Sequence, residues 1–426
     1  MLKHLLIAAL ITIHTTLSAQ TARQEMSIDK RLSASSYAAY PSPAAQLTAS
    51  PSGKKPFYIS HYGRHGACYH AKIKNYDEPY RILAKADSLG QLTRKGQEVM
   101  RQLAQIRAEA MNRWHELTPI GMRQVRDIAS RMVDRFPEVF EGSSYVSARS
   151  CIQMRNILSM ETTLLQLVKM RPQLQVAHEA TYRDMLFMDA NDALLRNKRT
   201  DSTAVRLFDD YVKAHPADYR FMQRLFKDKS YIRQIDAEDF SDLMFKLAAN
   251  QQNTLLAQEI DLYDLFSDEE IYGIWQRDNA WWYANYGFWK GNGATQPYSQ
   301  RRLLRRMIAD ADSCIQSGAT GADLRFGHDE VLLPLVCLLD VNGYGLSTDD
   351  LDGLDEKGWV GYRVIPMAAN LQLVFYRAGA DDRDVVLKVL LNEQEARLPL
   401  PSAQYPYYKW SDFRDYYLKK LDAYGK

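Results

Sequence analysis

The chain has 426 residues, 46% of them hydrophobic and 25% charged, with a formal net charge of +2. That length suits two domains or one large domain carrying an insertion, and the composition excludes a disordered or fibrous protein. A charge so near zero gives no global field for nucleic acid or a membrane surface, so affinity for anions must come from a local cluster.

Residues 1–19 read as a secretory signal: Lys3 and His4 form a polar start, Leu5–Ile13 an apolar core, and Leu17-Ser18-Ala19 a small-residue cleavage site before Gln20. The apolar core is too short to span a bilayer, and no other stretch reaches spanning length. The expectation is an exported protein, periplasmic or secreted, without a membrane span. An oxidising compartment permits disulfides among Cys68, Cys151, Cys314 and Cys337, but their spacing assigns no pairing. Cys337, inside the apolar run Val331–Leu339, reads as a buried small hydrophobe.

Residues 20–55, rich in Ser, Ala and Pro, read as an extended lead-in on the surface. Phe57–Ser60 is predicted as the first core strand, opening into a turn that holds Arg64, His65 and Gly66. Residues 77–115 show helical spacing through Leu83, Ala86, Val99, Leu103 and Ile106. Thr118-Pro119 starts a helix, with Thr as N-cap and Pro in the first helical position, and its apolar stripe runs from Val125 to Phe136 before Pro137 stops it. Tyr145–Ala148 is a second strand, and Ser150 is placed to cap the helix that follows, through Leu167. Helical periodicity then dominates residues 170–310, and strand character returns at Leu324–Gly327, Gln372–Tyr376 and Val385–Leu391. This order predicts an α/β sheet domain from residues 56–169 and 311–426, with an all-helical cap inserted at 170–310.

Three predicted strand ends carry charged or nucleophilic side chains: Arg64 and His65; Arg149, with Arg155 in the next helix; and His328, Asp329 and Glu330. Ligands of open α/β sheets bind at the carboxyl ends of strands, and helix N-termini there favour anions. A phosphomonoester dianion needs such a set, namely cationic donors, a nucleophile and a proton donor for the leaving oxygen.

On these motifs the chain resembles the histidine acid phosphatases, most closely the branch that includes the multiple inositol polyphosphate phosphatases. Arg64-His65-Gly66 after a strand is similar to the family's opening motif. Leu117-Thr118-Pro-Ile-Gly121-Met-Arg-Gln124 resembles its L-T-x-x-G-x-x-Q segment, and Ser150-Cys151-Ile-Gln-Met-Arg155 resembles S-T-x-x-x-R with Cys at the Thr position. Gly327-His328-Asp329 resembles the late H-D element, and Val386–Glu393 the terminal strand. The similarity runs in order from about Ala39 to Leu398. It implies a phosphoglycerate-mutase-like α/β sheet domain with an inserted helical cap. The implied activity is phosphomonoester hydrolysis without metal or organic cofactor, on a small phosphorylated substrate such as an inositol polyphosphate. By the same resemblance His65 is the nucleophile, Arg64 and Arg155 hold the equatorial oxygens, and His328 adds a donor. Asp329 protonates the leaving alcohol and then activates water.

Two positions depart from the family pattern. R-H-G-x-R has Cys68 in place of its second Arg, and losing a charge-assisted donor commonly costs on the order of 1.5–3 kcal/mol, about ten- to a hundredfold in affinity. Arg149, Lys72 and Lys74 are the cations considered as replacements. His328-Asp329-Glu330 offers two carboxylates, of which Asp329, adjacent to the histidine, is favoured as the acid. Cys68 also motivates an alternative, a phosphatase-like protein that binds a phosphorylated ligand with weakened turnover.

Other readings compete less well. His61, His65, Cys68 and His70 match no zinc-ligand spacing. Cys68 as a thiol nucleophile would need an Arg where Lys74 stands. Arg301, Arg302, Arg305 and Arg306 read as a solvated face balanced by Asp310 and Asp312 rather than a nucleic-acid site. The aromatic cluster from Trp275 to Trp289 reads mainly as core of the insert.

Overall fold

A computed structural model of the protein describes residues 21–424, apart from Ser42, Ala44, Ala45, Ser143, Ala190 and Asn191. The predicted signal at residues 1–19 lies outside the described residues. Among those described, no helix is long and apolar enough to cross a membrane.

The described strands form one sheet: β1 (Lys55–Arg64), β2 (Tyr145–Ser150), β3 (Gln175–Glu179), β4 (Gly321–Gly327), β5 (Asn370–Arg377), β6 (Val386–Leu391), β7 (Gln394–Ala396) and β8 (Tyr408–Lys409). Their order is β3-β2-β4-β1-β5-β6-β7, with β8 also pairing β6. The first four in that order are parallel and the remainder antiparallel. β1 is central and buried beyond Lys55, because both faces of the sheet are covered. Ile59 packs with Ala129, Met132 and Leu164 from the helices Pro119–Arg135 and Met154–Met170. Tyr58 and Tyr62, on the opposite face, pack with Leu304 and Leu332 from the helices Arg301–Ser317 and Asp329–Leu339. The register sets Arg64 of β1 beside Gly327 of β4, and Phe326 of β4 beside Ser150 of β2, so three parallel strands end level.

The structure redraws the predicted domain limits. The lead-in is not extended. It holds a helix at Ala22–Ile28, started by a capping box between Thr21 and Gln24, and a 3-10 segment at Lys30–Tyr37. Residues 175–179 belong to the sheet rather than to the insertion; as a short, mostly exposed edge they lack the apolar run that marks a strand. The cap is assembled from several segments, since Met26, Leu83, Leu103, Phe240, Met244 and Trp275 share one core. The helices Lys74–Ser88 and Arg94–Ala110, expected in the sheet domain, therefore pack in the cap. Tyr283, Leu303, Leu304, Met307 and Ile308, expected in the cap, pack on the sheet domain. Ser150 caps no helix: it ends β2 and its hydroxyl donates to the Cys151 carbonyl, while the next helix starts at Met154 with Gln153 as N-cap. Of the arginine face, Arg301 pairs with Asp192, Arg305 with Asp422 and Arg306 with Asp310.

Two buried histidines tie the fold to pH. Burial depresses His61 to about 3 and His70 to about 4. His70 stands between the Tyr37 hydroxyl at 3.2 Å and the Lys246 carbonyl at 3.0 Å, joining the loop after β1 to the cap. Because these rings stay neutral in the fold but take a proton near pH 6.5 when unfolded, stability is full above about pH 6.5 and is lost as pH falls towards 3–4. Thermal unfolding scans should show Tm falling steadily from pH 6.5 to 4, and a His61→Gln variant should show a shallower dependence. A flat profile for the unaltered protein would contradict this.

Candidate active site

The chain leaves the sheet at Arg64, whose amide donates to the Ala369 carbonyl at 2.7 Å, and the His65 amide donates to the Gly327 carbonyl at 3.0 Å. The loop that follows lies directly on the first turn of the helix Pro119–Arg135. A Cβ added to Gly66 would meet the Gly121 carbonyl oxygen at 2.4 Å, and one added to Gly121 would meet the Ala67 carbonyl oxygen at 2.0 Å. Around this contact, Thr118 caps the helix and its amide donates to the Ala67 carbonyl at 2.9 Å, while the Gln124 side-chain oxygen accepts the Ala67 amide at 2.9 Å. Ser159 accepts the Gly66 amide at 3.1 Å. Thr118, Gly121 and Gln124, spaced by threes on one helical face, thus clamp the loop that carries His65.

His65 is buried, and its Nδ1 lies 2.8 Å from the Gly66 carbonyl. A carbonyl only accepts, so Nδ1 carries the proton and Nε2 keeps its lone pair. Burial, then the charges of Arg64 and Arg155, hold this ring well below the usual histidine range. Arg64 donates to the carbonyls of Ser36 and of Ile365 (2.8 Å) and forms an ion pair with Asp329 at 2.9 Å. The His328 ring stands edge-on to His65 with centroids 5.5 Å apart. Its Nε2 lies 3.0 Å from the Asn156 amide nitrogen and 3.3 Å from the Cys151 sulfur, and Arg155 reaches its Nδ1 at 3.5 Å. Burial and the Arg155 charge lower His328 to about 4. No side chain caps the helix that begins at Met154, whose second residue is Arg155.

Arg64, His65, Arg155, His328, Asp329 and Glu330 all line one cavity of about 960 Å³ between the sheet domain and the cap. Burial, with the charge of Asp329, raises the Glu330 carboxyl. Cys68 lines the cavity too; burial raises its thiol, so this position supplies no fixed charge. Its carbonyl accepts from Asn250 at 3.1 Å, a second tie to the cap.

The cations considered as replacements for an Arg at position 68 do not reach the cavity. Arg149 is held by Glu179 at 3.2 Å, Asp323 at 3.6 Å and Asp184 at 3.7 Å, and it donates to Ser147. Lys72 is exposed beside Ala71, and only Ala71 lines the cavity. Lys74 pairs with Asp239 at 3.0 Å. His61 turns to Phe326 and His70 to Tyr37 and Lys246, so the four residues weighed as a metal set do not converge; among the described residues no His, Cys, Asp or Glu group is arranged to hold a metal. All four cysteines are unpaired.

Sequence reasoning missed several lining residues. Ser33–Tyr37 of the lead-in form part of the wall. His115 lies 3.0 Å from Arg155. The cap contributes Ser241, Asp242, Phe245 and Lys246 from the helix Ala237–Gln251, and Arg277, Asp278 and Trp281 from the helix Asp268–Tyr286. Both sets recur at intervals of three and four, the available signal for a shared helical face.

The chain belongs to the histidine phosphatase superfamily, branch 2, whose family model matches residues 93–392. That membership places it among the histidine-type phosphatases. The matched stretch contains Thr118, Arg155, His328 and Asp329 but begins beyond the His65 loop, so the assignment of His65 rests on geometry. No curated protein sequence matches the chain. Among solved structures, the Bifidobacterium longum multiple inositol polyphosphate phosphatase in complex with inositol hexasulfate superposes with a TM-score of 0.73 at 17% identity, covering 89% of this chain and 96% of the other. The phytase from D. castellii gives 0.68 at 14% identity over 92% and 85%. Hafnia alvei phytase in complex with myo-inositol hexakis sulphate gives 0.51 at 14% identity over 87% and 98%. At these identities the likeness is one of fold.

The glycine contact makes a sharp prediction. Gly121→Ala should displace the His65 loop and lower aryl-phosphate turnover on the order of a hundredfold, with the circular dichroism spectrum retained. Turnover within twofold of the unaltered protein would show that the loop is not held this way.

Proposed function

We propose that the protein is an exported phosphomonoesterase that acts through a phosphohistidine on His65, with inositol polyphosphates or other soluble organic phosphates as substrates. The observation that carries this reading is the bond from His65 Nδ1 to the Gly66 carbonyl, which leaves Nε2 free in a cavity flanked by Arg64 and Arg155. The predicted signal supports export. The substrate class is supported by the solved neighbours, a multiple inositol polyphosphate phosphatase and phytases.

In the first half-reaction Nε2 attacks phosphorus, the ester P–O bond breaks, and Asp329 gives its proton to the departing alkoxide. In the second, water attacks phosphorus, its proton passes to Asp329, and the P–N bond breaks to release inorganic phosphate. Arg64 and Arg155 neutralise the charge on the equatorial oxygens throughout. No metal or organic cofactor takes part in these steps. His65 suits an acidic reaction medium because its depressed proton affinity keeps Nε2 unprotonated there.

Cys68 favours a second reading, a phosphatase-like protein that binds a phosphorylated ligand with little turnover. The joint presence of nucleophile and acid in one cavity favours turnover. Phosphate release from phytate and from an aryl phosphate, measured for the unaltered protein, His65→Ala and Cys68→Arg, separates the two. Turnover abolished in His65→Ala, and raised about ten- to a hundredfold in kcat/KM by Cys68→Arg, is expected. Turnover surviving in His65→Ala would sink the mechanism, and an inactive protein awakened by Cys68→Arg would favour the binder. With phytate, whose leaving group needs the proton of Asp329, the rate should decline from pH 4 towards pH 9; a steady rise would contradict the assigned acid.

A further inference from the structure

The cavity that holds His65 has electrically unlike walls. Arg64 stands at a strand end and Arg155 in the first turn of the helix Met154–Met170, whereas the cap side presents Asp236, Glu238, Asp239, Asp242 and Asp278 against Lys246 and Arg277, with Lys74 paired to Asp239 from outside the cavity. Some of these acids have local work. Asp236 caps the helix Ala237–Gln251, Glu238 and Asp239 lie in its first turn, where the helix dipole favours them, and Asp242 pairs with Lys246 at 2.5 Å. Asp278 has no such role. It sits inside the helix Asp268–Tyr286, and one of its buried carboxylate oxygens lacks a hydrogen-bond partner. The Ser35 hydroxyl beside it lowers its proton affinity, but among the described residues no cationic side chain forms an ion pair with it. Burial raises the Asp278 carboxyl to about 6, so it is ionised at neutral pH.

A buried carboxylate with only a hydroxyl beside it and no cation paired to it is best satisfied by a cationic donor. Trp281 and Trp282 follow Asp278 on the same face and also line the cavity, with Trp281 39% exposed. Their rings suit an ammonium or the apolar face of a sugar. Inositol hexakisphosphate is not excluded by a volume of about 960 Å³, but its outer phosphates would face the acidic wall, where like charges repel.

We infer that the preferred substrate carries a single phosphate ester and a cationic, hydroxyl-bearing remainder of amino-sugar size, with the phosphate at Arg64 and Arg155 and the ammonium at Asp278. This rests on the phosphomonoesterase reading and selects among its substrates. The test compares kcat/KM for glucosamine 6-phosphate, N-acetylglucosamine 6-phosphate, glucose 6-phosphate and phytate at pH 7, with an aryl phosphate as reference, for the unaltered protein and Asp278→Asn. The amine should exceed both uncharged analogues by about tenfold or more, with phytate poorest, and Asp278→Asn should reduce that preference to about threefold or less. Equal use of the three sugar phosphates, preference for phytate, or a preference that Asp278→Asn leaves unmoved would overturn the inference. If even the aryl phosphate is not hydrolysed, the phosphatase reading fails by itself. Calorimetric binding of the same sugar phosphates then decides: tighter binding of the amine upholds the inference and equal affinities refute it.

Discussion

The site depends on a place where two backbones touch. Gly66 and Gly121 meet with no room for a side chain on either, and this contact seats the loop after β1 on the capped start of the helix Pro119–Arg135. A loop so held has little freedom to rotate His65, and the Gly66 carbonyl then fixes which ring nitrogen carries the proton. The parallel register supplies the rest. With β1, β2 and β4 ending level, segments far apart in sequence deliver Arg64, Arg155 and His328 to one place without any of them reaching across open solvent.

The ion pair between Arg64 and Asp329 gives the site its chemical logic. The two side chains are 4% and 13% exposed, so neither charge is well served by water and each relies on the other. In the proposed mechanism a phosphate dianion at Arg64 meets the Asp329 carboxylate on the same guanidinium, so anion binding and the acid for the leaving alcohol share one ion pair. The fold itself is sensitive to acid, because the buried neutral rings of His61 and His70 favour unfolding as the medium becomes acidic.

The strand ends were legible because a central parallel strand is buried on both faces and ends abruptly in charged residues, as at Tyr62-Gly63-Arg64-His65. Thr118-Pro119 was legible for a local reason, the capping chemistry of a helix start. What escaped were partnerships. Periodicity in Leu83 and Leu103 shows that a face is buried without showing that it packs on Phe240 and Trp275 of the cap. Arg149 sits at a strand end as expected, yet Glu179 and Asp184 flank it, one on the neighbouring strand that the sequence hid as a short polar edge. The lead-in looked featureless by composition, although Thr21 and Gln24 carried a helix-start signature and the Ser36 carbonyl proves to be an acceptor for Arg64. Cys68 faces the cavity as a neutral thiol where the family pattern has a charged side chain.

In the proposed reaction His65 Nε2 takes the phosphoryl group. Rapid quenching of the protein with a radiolabelled aryl phosphate, followed by peptide mapping, tests it most directly. Asp329→Asn should help, since a good leaving group forms the intermediate without the acid while hydrolysis of the P–N bond is slowed. An acid-labile, alkali-stable label confined to the peptide that contains His65 is expected. Turnover with no protein-bound phosphate, or a label on Cys68 instead, would contradict it.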